Sequence, residues 1–599
     1  MKGWKVTVQG LKIFQSLCPG YLQSLFLFCA FTGLYPYFNI YMAAEIVDRL
    51  SREEGRSIYV WVLTAVCGNF LLEVLHGYLS RRMEHLDAIA REEERRFMVS
   101  KVQTMDYASV ESANVQQLRR SIQEAASMNW RGIWAVAIGA SGLMQSVFSI
   151  LAAAGLFAGM LHIYIGKGFG RMGILFVTMM ALLIVADVAA LLKYKKKDAA
   201  LVMDNTRMLA DENRVDFMLE SYNQGKDVRI YRQDQLIMPL KRRYLLEIHR
   251  EVFSRYFKKI FRMETLPEAM RYLVEGLAYL FVCISVFKRI LGVGSILKYV
   301  AVIRSMVHAV MGAFGHWYDL AVNVPFLEQY LEFYNYPSRM RDGELEAPQN
   351  VEVVEFRDVS FRYPDSEGYA LRHVSFRLEK GRRTAIVGMN GSGKTTLIKL
   401  LCRLYDPTEG TIFLNGVDIR NYRFDEYVRK FSVVFQDYKL FSFSLLENVA
   451  LSEEGDWEQA KSCLEMAGAG DKLESLPNGL ETVLYKDFDE DGIEVSGGEA
   501  QKIAIARALY QEAAFVLLDE PAAALDPEAE YELYKRFEQI AEHKTVVYIS
   551  HRLSSCRSCD RILVLDQGKL AQSGSHDELV GDSEGVYARL WEAQAQYYR

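Results

Sequence analysis

The stretch "GMNGSGKTT", Gly388 to Thr396, decides how this chain is read. It follows the strand-like "RTAIV" and runs into "LIKLLCRLY", whose pattern is helical, so Gly-x-x-x-x-Gly-Lys-Thr stands in the strand, loop, helix setting that a phosphate-binding loop requires. Gly388, Asn390, Gly391, Ser392 and Gly393 form a loop whose backbone N–H groups can close on phosphate oxygens, and Thr396 continues the wrap at the helix start. Lys394 then reaches the outer phosphates of a nucleotide, and the Thr395 hydroxyl ligates Mg²⁺.

Downstream, "AFVLLDEP" is an apolar strand ending in Asp519 and Glu520. A solvated strand end is the ordinary reading of an isolated Asp-Glu pair. Behind a buried strand and a phosphate loop, Asp519 is placed instead for the Mg²⁺ shell, and Glu520 for orienting and polarising the attacking water. The catalytic set expected here contains Lys394 and Glu520.

Working outward, 599 residues exceed what one hydrophobic core organises, so at least two domains are expected. A net charge of −6 without a basic tail or stripe argues against nucleic acid as a partner. Of the eight cysteines only Cys556 and Cys559 form a close pair, and a lone C-x-x-C favours ordinary thiols over zinc.

The composition changes near Tyr336. Before it, six stretches near 22–45, 58–80, 132–163, 172–193, 268–290 and 294–320 are long and apolar enough to cross a bilayer. The last two carry Arg271, Glu275, Lys298, Arg304 and His308, charges tolerated where they face a cavity or a partner helix. Three connections are short, whereas 81–131 and 194–265 are long, helix-like and rich in Lys and Arg. The positive-inside rule places these two, and hence both termini, in the cytoplasm. No cleavable signal peptide is expected. Pro36 is expected to kink the first crossing. Asp187, and Glu73 with His76 on one helix face, fit a transport pathway or a polar contact between helices equally well. The expected boundaries are a membrane domain over 1–336, a polar linker over 337–350 and a nucleotide-binding domain over 351–599.

At this point the residues resemble a family. "VSGGEAQKIAIARAL" is similar to the signature segment of ATP-binding cassette (ABC) proteins. Tyr363 in "FRYP" resembles the aromatic that stacks on adenine, and Gln436 in "VVFQD" the glutamine that links Mg²⁺ to the membrane domain. "AALD", Ala523 to Asp526, resembles the loop that crosses between paired cassettes, and His551 in "VVYISHRLSS" the histidine on the γ-phosphate. The whole chain is similar to an exporter-type half-transporter. The implied fold is an α-helical six-crossing transmembrane domain of the type IV ABC exporter kind, followed by an α/β P-loop NTPase cassette. The implied activity is export driven by ATP and Mg²⁺, with Gln436 and His551 joining the catalytic set. The implied location is a bacterial cytoplasmic membrane.

In such cassettes Ser496, Gly497 and Gly498 close over the ATP held by a second chain, so the resemblance implies a dimer of half-transporters, homodimeric or heterodimeric. A heterodimer in which this chain supplies the competent site and its partner a degenerate one is the alternative. Peptide, lipid and amphipathic drug-like cargoes all remain open. Without a protease domain ahead of the first crossing, removal of a peptide leader by this chain is not expected. Three departures stand out: Glu499 where Gln is usual, Ala523 where Ser is usual, and the longer "TVLYKDFDEDGIE" ahead of the signature. That last form, together with "GKDVRIYRQDQ" at 225–235 and "YPYFNIYM" in the first crossing, looks most like a Gram-positive subgroup that includes exporters of lantibiotics and other peptides. It places five carboxylates within the eight positions 487–494, for which basic cytoplasmic loops of the membrane domain are the expected partners and a solvated loop the competing reading.

Overall fold

The computed structural model describes residues 2–595 apart from 53–54, 130, 221, 244–249, 338–339, 341, 365, 522–531, 533–534, 537–543 and 551–552. It divides into two compact units, residues 1–104 with 114–336, and residues 105–113 with 337–599.

The first unit is helical. Among the described residues six helices are long and apolar enough to cross a membrane, within Tyr21–Ser51, Ile58–Thr104, Ile133–Gly166, Gly170–Lys193, Glu268–Phe287 and Gly294–Tyr334. Chains of about 20 apolar residues leave no backbone group unpaired in hydrocarbon only as helices, which is why hydropathy located them. The chain is a multi-pass membrane protein. Two helices run on far past the apolar stretches, Gly55–Thr104 with 50 residues and Gly170–Glu220 with 51, so much of the two long connections is helix continuing the crossings. Pro36 lies inside the unbroken helix Tyr21–Ser51.

One element was hidden in the short polar segment ahead of the first crossing. Lys2–Leu17 is an amphipathic helix that buries Val6, Ile13 and Phe14. The Phe14 ring stacks on Tyr21 at 5.2 Å and meets the edge of Trp134 at 5.0 Å.

The intramembrane charges mostly find partner helices. Arg304 pairs with Glu275 at 3.3 Å between the last two crossings, and Lys298 lies 4.8 Å above the Tyr41 ring. His76 packs against Phe28, Phe31 and Tyr35 of the first crossing. Asp187 is 1% exposed, with Arg271 and Glu268 as its charged neighbours. Buried Asn323 closes both backbone groups of Gly132, at 2.8 Å each, which fixes the start of the third crossing against the last. At the opposite ends, Lys167 donates to the carbonyls of Arg289 and Ile290, joining two short connections.

The second unit is α/β. Its strands are β1 Val353–Phe361, β2 Leu371–Glu379, β3 Arg383–Val387, β4 Glu409–Leu414, β5 Val417–Asp418, β6 Phe431–Val434, β7 Phe515–Asp519, β8 Thr545–Ile549, β9 Arg561–Asp566 and β10 Lys569–Gly574. β2-β1-β4-β5 form an antiparallel sheet, with Phe356 opposite Phe376. β10-β9-β3-β8-β7-β6 form a second sheet, parallel except at β10. Every residue of β7 and β8 is buried, as expected of parallel strands covered on both faces. Residues 343–347 lie along the second unit, with Leu345 bridging Tyr422 and Glu346 facing Arg423.

Register places the site. Ile386 of β3 and Asp519 of β7 are both paired with Ile549 of β8, so the carboxyl ends of three neighbouring strands stop at one level. In open parallel sheets that edge is where ligands bind.

Candidate nucleotide site

Beyond Val387 the chain turns through Gly388 and Gly391 to Gly393, which caps the helix Lys394–Leu401. Gly393 has φ 103°, and a Cβ there would lie 2.6 Å from Leu371 Cδ2 and 2.8 Å from the Ala370 carbonyl, so only glycine fits. Ser392 is 3% exposed and its Oγ is buried without a hydrogen-bond partner, as a loop shaped around a polar ligand requires. Lys394 Nζ donates to the carbonyls of Gly388 and Met389 at 2.9 and 3.1 Å. Burial pushes the Lys394 ammonium pKa down, against the opposing pull of Glu520 and Asp519.

The carboxylates converge on this loop. Thr395 Oγ1 donates to Asp519 Oδ2 at 3.0 Å, which joins the two residues expected to hold Mg²⁺. Gln436 Nε2 donates to Glu520 Oε2 at 3.0 Å. Hard oxygen donors of this kind, one hydroxyl, one carboxylate and one amide, suit Mg²⁺, and thiol or imidazole ligands would not. Among the described residues no cluster of His, Cys, Asp and Glu forms a metal site of its own. Cys556 and Cys559 are buried thiols of the core, and burial pushes Cys556 up to about 12.

Tyr363 reaches the same helix, its hydroxyl 3.0 Å from Thr396 Oγ1. Its ring meets Tyr405 and Phe361 edge-on, with the Lys399 ammonium 5.5 Å from the centroid. Residues 105–113 contribute to the same corner, where Tyr107 packs edge-on against Tyr405 and Glu111 lies 3.7 Å from Lys399.

Ser496, Gly497 and Gly498 begin the helix Gly497–Tyr510. The Ser496 hydroxyl accepts from the Glu499 N–H while Glu499 Oε2 accepts from the Ser496 N–H at 2.7 Å, a complete capping box. Glu499 Oε1 also pairs with Lys472 at 3.0 Å. Glutamate in place of the usual glutamine is thus explained locally, because both carboxylate oxygens are engaged. Burial works to raise the Glu499 pKa, and the Ser496 and Lys472 contacts outweigh it, leaving the carboxyl below its usual range.

Ahead of the signature, residues 485–493 fold on themselves, with Tyr485 N–H on the Ile493 carbonyl and Asp491 N–H on Asp489. Ser442 donates to Asp487. The sequence reading missed an aromatic row beside these acids: Phe441, Phe443 and Phe488 stack in succession at 5.9 and 6.4 Å, and Phe488 is 82% exposed.

Two features of Glu520 were also missed. Its φ is 54°, a left-handed conformation uncommon for a residue with a side chain, and Gln501 Nε2 donates to its carbonyl at 3.2 Å. Gln501 lies within the segment quoted for the signature, five residues past Ser496, and its position was the available clue. The structure therefore brings together Lys394, Thr395, Thr396, Tyr363, Gln436, Asp519 and Glu520. It ties Ser496 to Glu499 and Gly497 to Tyr438, with Gly498 following in the first turn of the helix. Ala523–Asp526 and His551 lie outside the described residues.

Residues 371–523 match the family model described as ABC transporter. Over 260 residues the chain is 39% identical to an ATP-dependent lipid A-core flippase of Burkholderia orbicola, covering 43% of each chain. Over 350 residues it is 34% identical to the subtilin transport ATP-binding protein SpaT of Bacillus subtilis, covering 56% of each. In these alignments the chain spans about half the length of the curated relatives it matches. A solved bacterial Atm1-family ABC exporter with ATP bound superposes with a TM-score of 0.74 over 96% of this chain and 98% of that one, at 22% identity. Residues 371–523 are thus an ABC transporter domain that binds nucleotide, in a chain whose fold is that of an ABC exporter.

Proposed function

We propose that this chain is half of an ATP-driven exporter that carries a peptide, a lipid or another amphipathic compound across the cytoplasmic membrane by alternating access. The observation that carries this reading is the pair of contacts Thr395–Asp519 and Gln436–Glu520 around a P-loop, on the same chain as six crossing helices. Mg²⁺ held by Thr395, Asp519 and Gln436 would neutralise charge on the phosphates during transfer to water. Lys394 binds the outer phosphates, Tyr363 takes the adenine, and Glu520 orients and deprotonates the water, with Gln436 holding its carboxylate. His551 would contact the γ-phosphate.

The turn Ser496–Gly498 would close over nucleotide held by a second chain, so the working unit is a dimer. ATP then stabilises the closed pair differentially and shifts the membrane helices between inward and outward access. The acidic insert 487–494 is proposed as a docking contact for basic cytoplasmic loops. The exposed Phe488 beside Asp487 and Asp489 supports this, since an aromatic flanked by charge suits an interface better than a solvated loop. Both termini would be cytoplasmic, and the organism a bacterium.

The test is ATPase activity of the purified chain in lipid against a panel of peptides and amphiphiles, with Glu520→Gln as control. Stimulation by one cargo class that vanishes in the variant supports the reading. Turnover undiminished in Glu520→Gln overturns it.

A further inference from the structure

A cavity of about 330 Å³ lies in the first unit between the helices Tyr21–Ser51, Gly55–Thr104 and Ile133–Gly166. Its walls differ in character. Leu25, Phe28, Met83 and Ile138 are apolar, whereas Asp87, Arg91, Arg131 and Ser141 supply polar groups.

The cavity sits at one depth of the membrane. Tyr21 opens the first crossing helix, Arg131 and Trp134 stand at the start of the third, and Met83 to Arg91 lie just past the apolar stretch of the second. That is the boundary between hydrocarbon and headgroups, where Trp and Tyr concentrate and Arg reaches phosphate.

The charges are unbalanced. Asp87 accepts a hydrogen bond from the Tyr21 hydroxyl at 2.7 Å. The Arg91 guanidinium lies 5.1 Å over the Trp134 ring, and Arg131 Nη1 donates to the Asp319 carbonyl at 3.5 Å. Among the described residues neither arginine is ion-paired, so two guanidinium forks face a cavity that holds one carboxylate. Phe14 of the N-terminal helix braces both Tyr21 and Trp134, which fixes the aromatic side of the cavity in advance.

Planar guanidinium forks match the oxygens of a phosphodiester, and basic pockets between membrane helices bind anionic headgroups. The volume is at the lower end of ligand cavities, which run from about 300 to 1,000 Å³. It accommodates a headgroup and the first carbons of a chain rather than a whole two-chain lipid. Asp87 adds an acceptor for a hydroxyl, which a glycerol headgroup has and a choline headgroup lacks. We propose that this cavity binds the headgroup of an anionic phospholipid, with its phosphodiester between Arg91 and Arg131 and its chain leaving along Leu25, Phe28, Met83 and Ile138. The site belongs to the membrane unit alone and stands whether or not the chain is an exporter.

Native mass spectrometry of the full-length chain with phosphatidylglycerol, phosphatidylcholine or inorganic phosphate tests it. Phosphatidylglycerol should be retained about tenfold more strongly than phosphatidylcholine, the size expected of charge-assisted contacts. Arg91→Gln with Arg131→Gln should remove that preference at an unchanged melting temperature. Equal retention of the two lipids, or a preference that survives the double variant, overturns the proposal, as does displacement of the lipid by millimolar inorganic phosphate. A milder variant covers a folding failure: quenching of tryptophan fluorescence by brominated phosphatidylglycerol should fall in Trp134→Phe, and quenching equal to that of the unaltered chain refutes the site.

Discussion

Glu520, the proposed base, stands on an uncommon backbone angle, φ 54°. A left-handed residue with a side chain costs of order 1 kcal/mol or more and persists only where its surroundings hold it. Here its N–H donates to Ile549, its carbonyl accepts from Gln501 and its carboxylate accepts from Gln436. Replacing Glu520 by Gln removes the proposed proton acceptor and leaves the size unchanged, so ATP binding should persist while hydrolysis falls roughly 10²- to 10⁴-fold, measured by equilibrium nucleotide binding beside single-turnover kinetics. Gln501→Leu should act more mildly. Loss of one neutral hydrogen bond, about 1 kcal/mol, corresponds to roughly fivefold in turnover, with the KM for ATP steady because no phosphate contact is touched. Lys394 and Thr395 were legible from their strand, loop and helix setting, and Asp519 and Glu520 from the apolar strand they end, although it is the pairing of β3 and β7 through β8 that brings the two pairs together. Gln501 and the angle at Glu520 were not, since each depends on a residue from elsewhere in the fold.

Among the elements, the helix Gly497–Tyr510 carries the clearest local code. Removing the cap by Ser496→Ala should cost about 1 kcal/mol, read as a lower unfolding midpoint. Glu499 adds a pH dependence of definite sign. Its carboxyl is held below the ordinary value of 4.5, so its contribution is complete above that value and fades as pH falls beneath it. Glu499→Gln should flatten the fall in melting temperature over that acid range, and an unchanged slope would contradict the pairing with Ser496 and Lys472. In the membrane unit, Asn323→Leu strands the N–H and C=O of Gly132, each costing about 1 to 3 kcal/mol, which thermal unfolding in detergent would register. The crossings could be located from hydropathy because burial in lipid demands long apolar runs. The helix Lys2–Leu17 escaped that reading, as its apolar residues lie on one side only and are paid attention to by tertiary partners rather than by lipid. The row Phe441, Phe443, Phe488 escaped for a related reason, being assembled from two loops far apart in sequence.

For the molecule as a whole, the decisive question is whether one site draws on two chains. Lys394→Ala and Ser496→Arg should each abolish turnover alone. Co-purified as a mixed dimer, they leave one intact combination, so up to about half the activity per dimer should return if sites are shared and none if each chain works alone. Neutralising Asp487, Asp489, Glu490 and Asp491 together should separate transport from hydrolysis while nucleotide binding stays intact, and lost nucleotide binding would refute the docking role. Single exposed pairs there contribute only about 0 to 1 kcal/mol, so the effect requires the set.

The two longest helices, Gly55–Thr104 and Gly170–Glu220, extend about 75 Å each at the helical rise, more than twice the thickness of hydrocarbon. A helix of that length that tilts as one body is a lever. A tilt of about 5° at one end sweeps the other through roughly 6 Å, a displacement on the scale of one helical turn, with no hydrogen bond along the shaft needing to break.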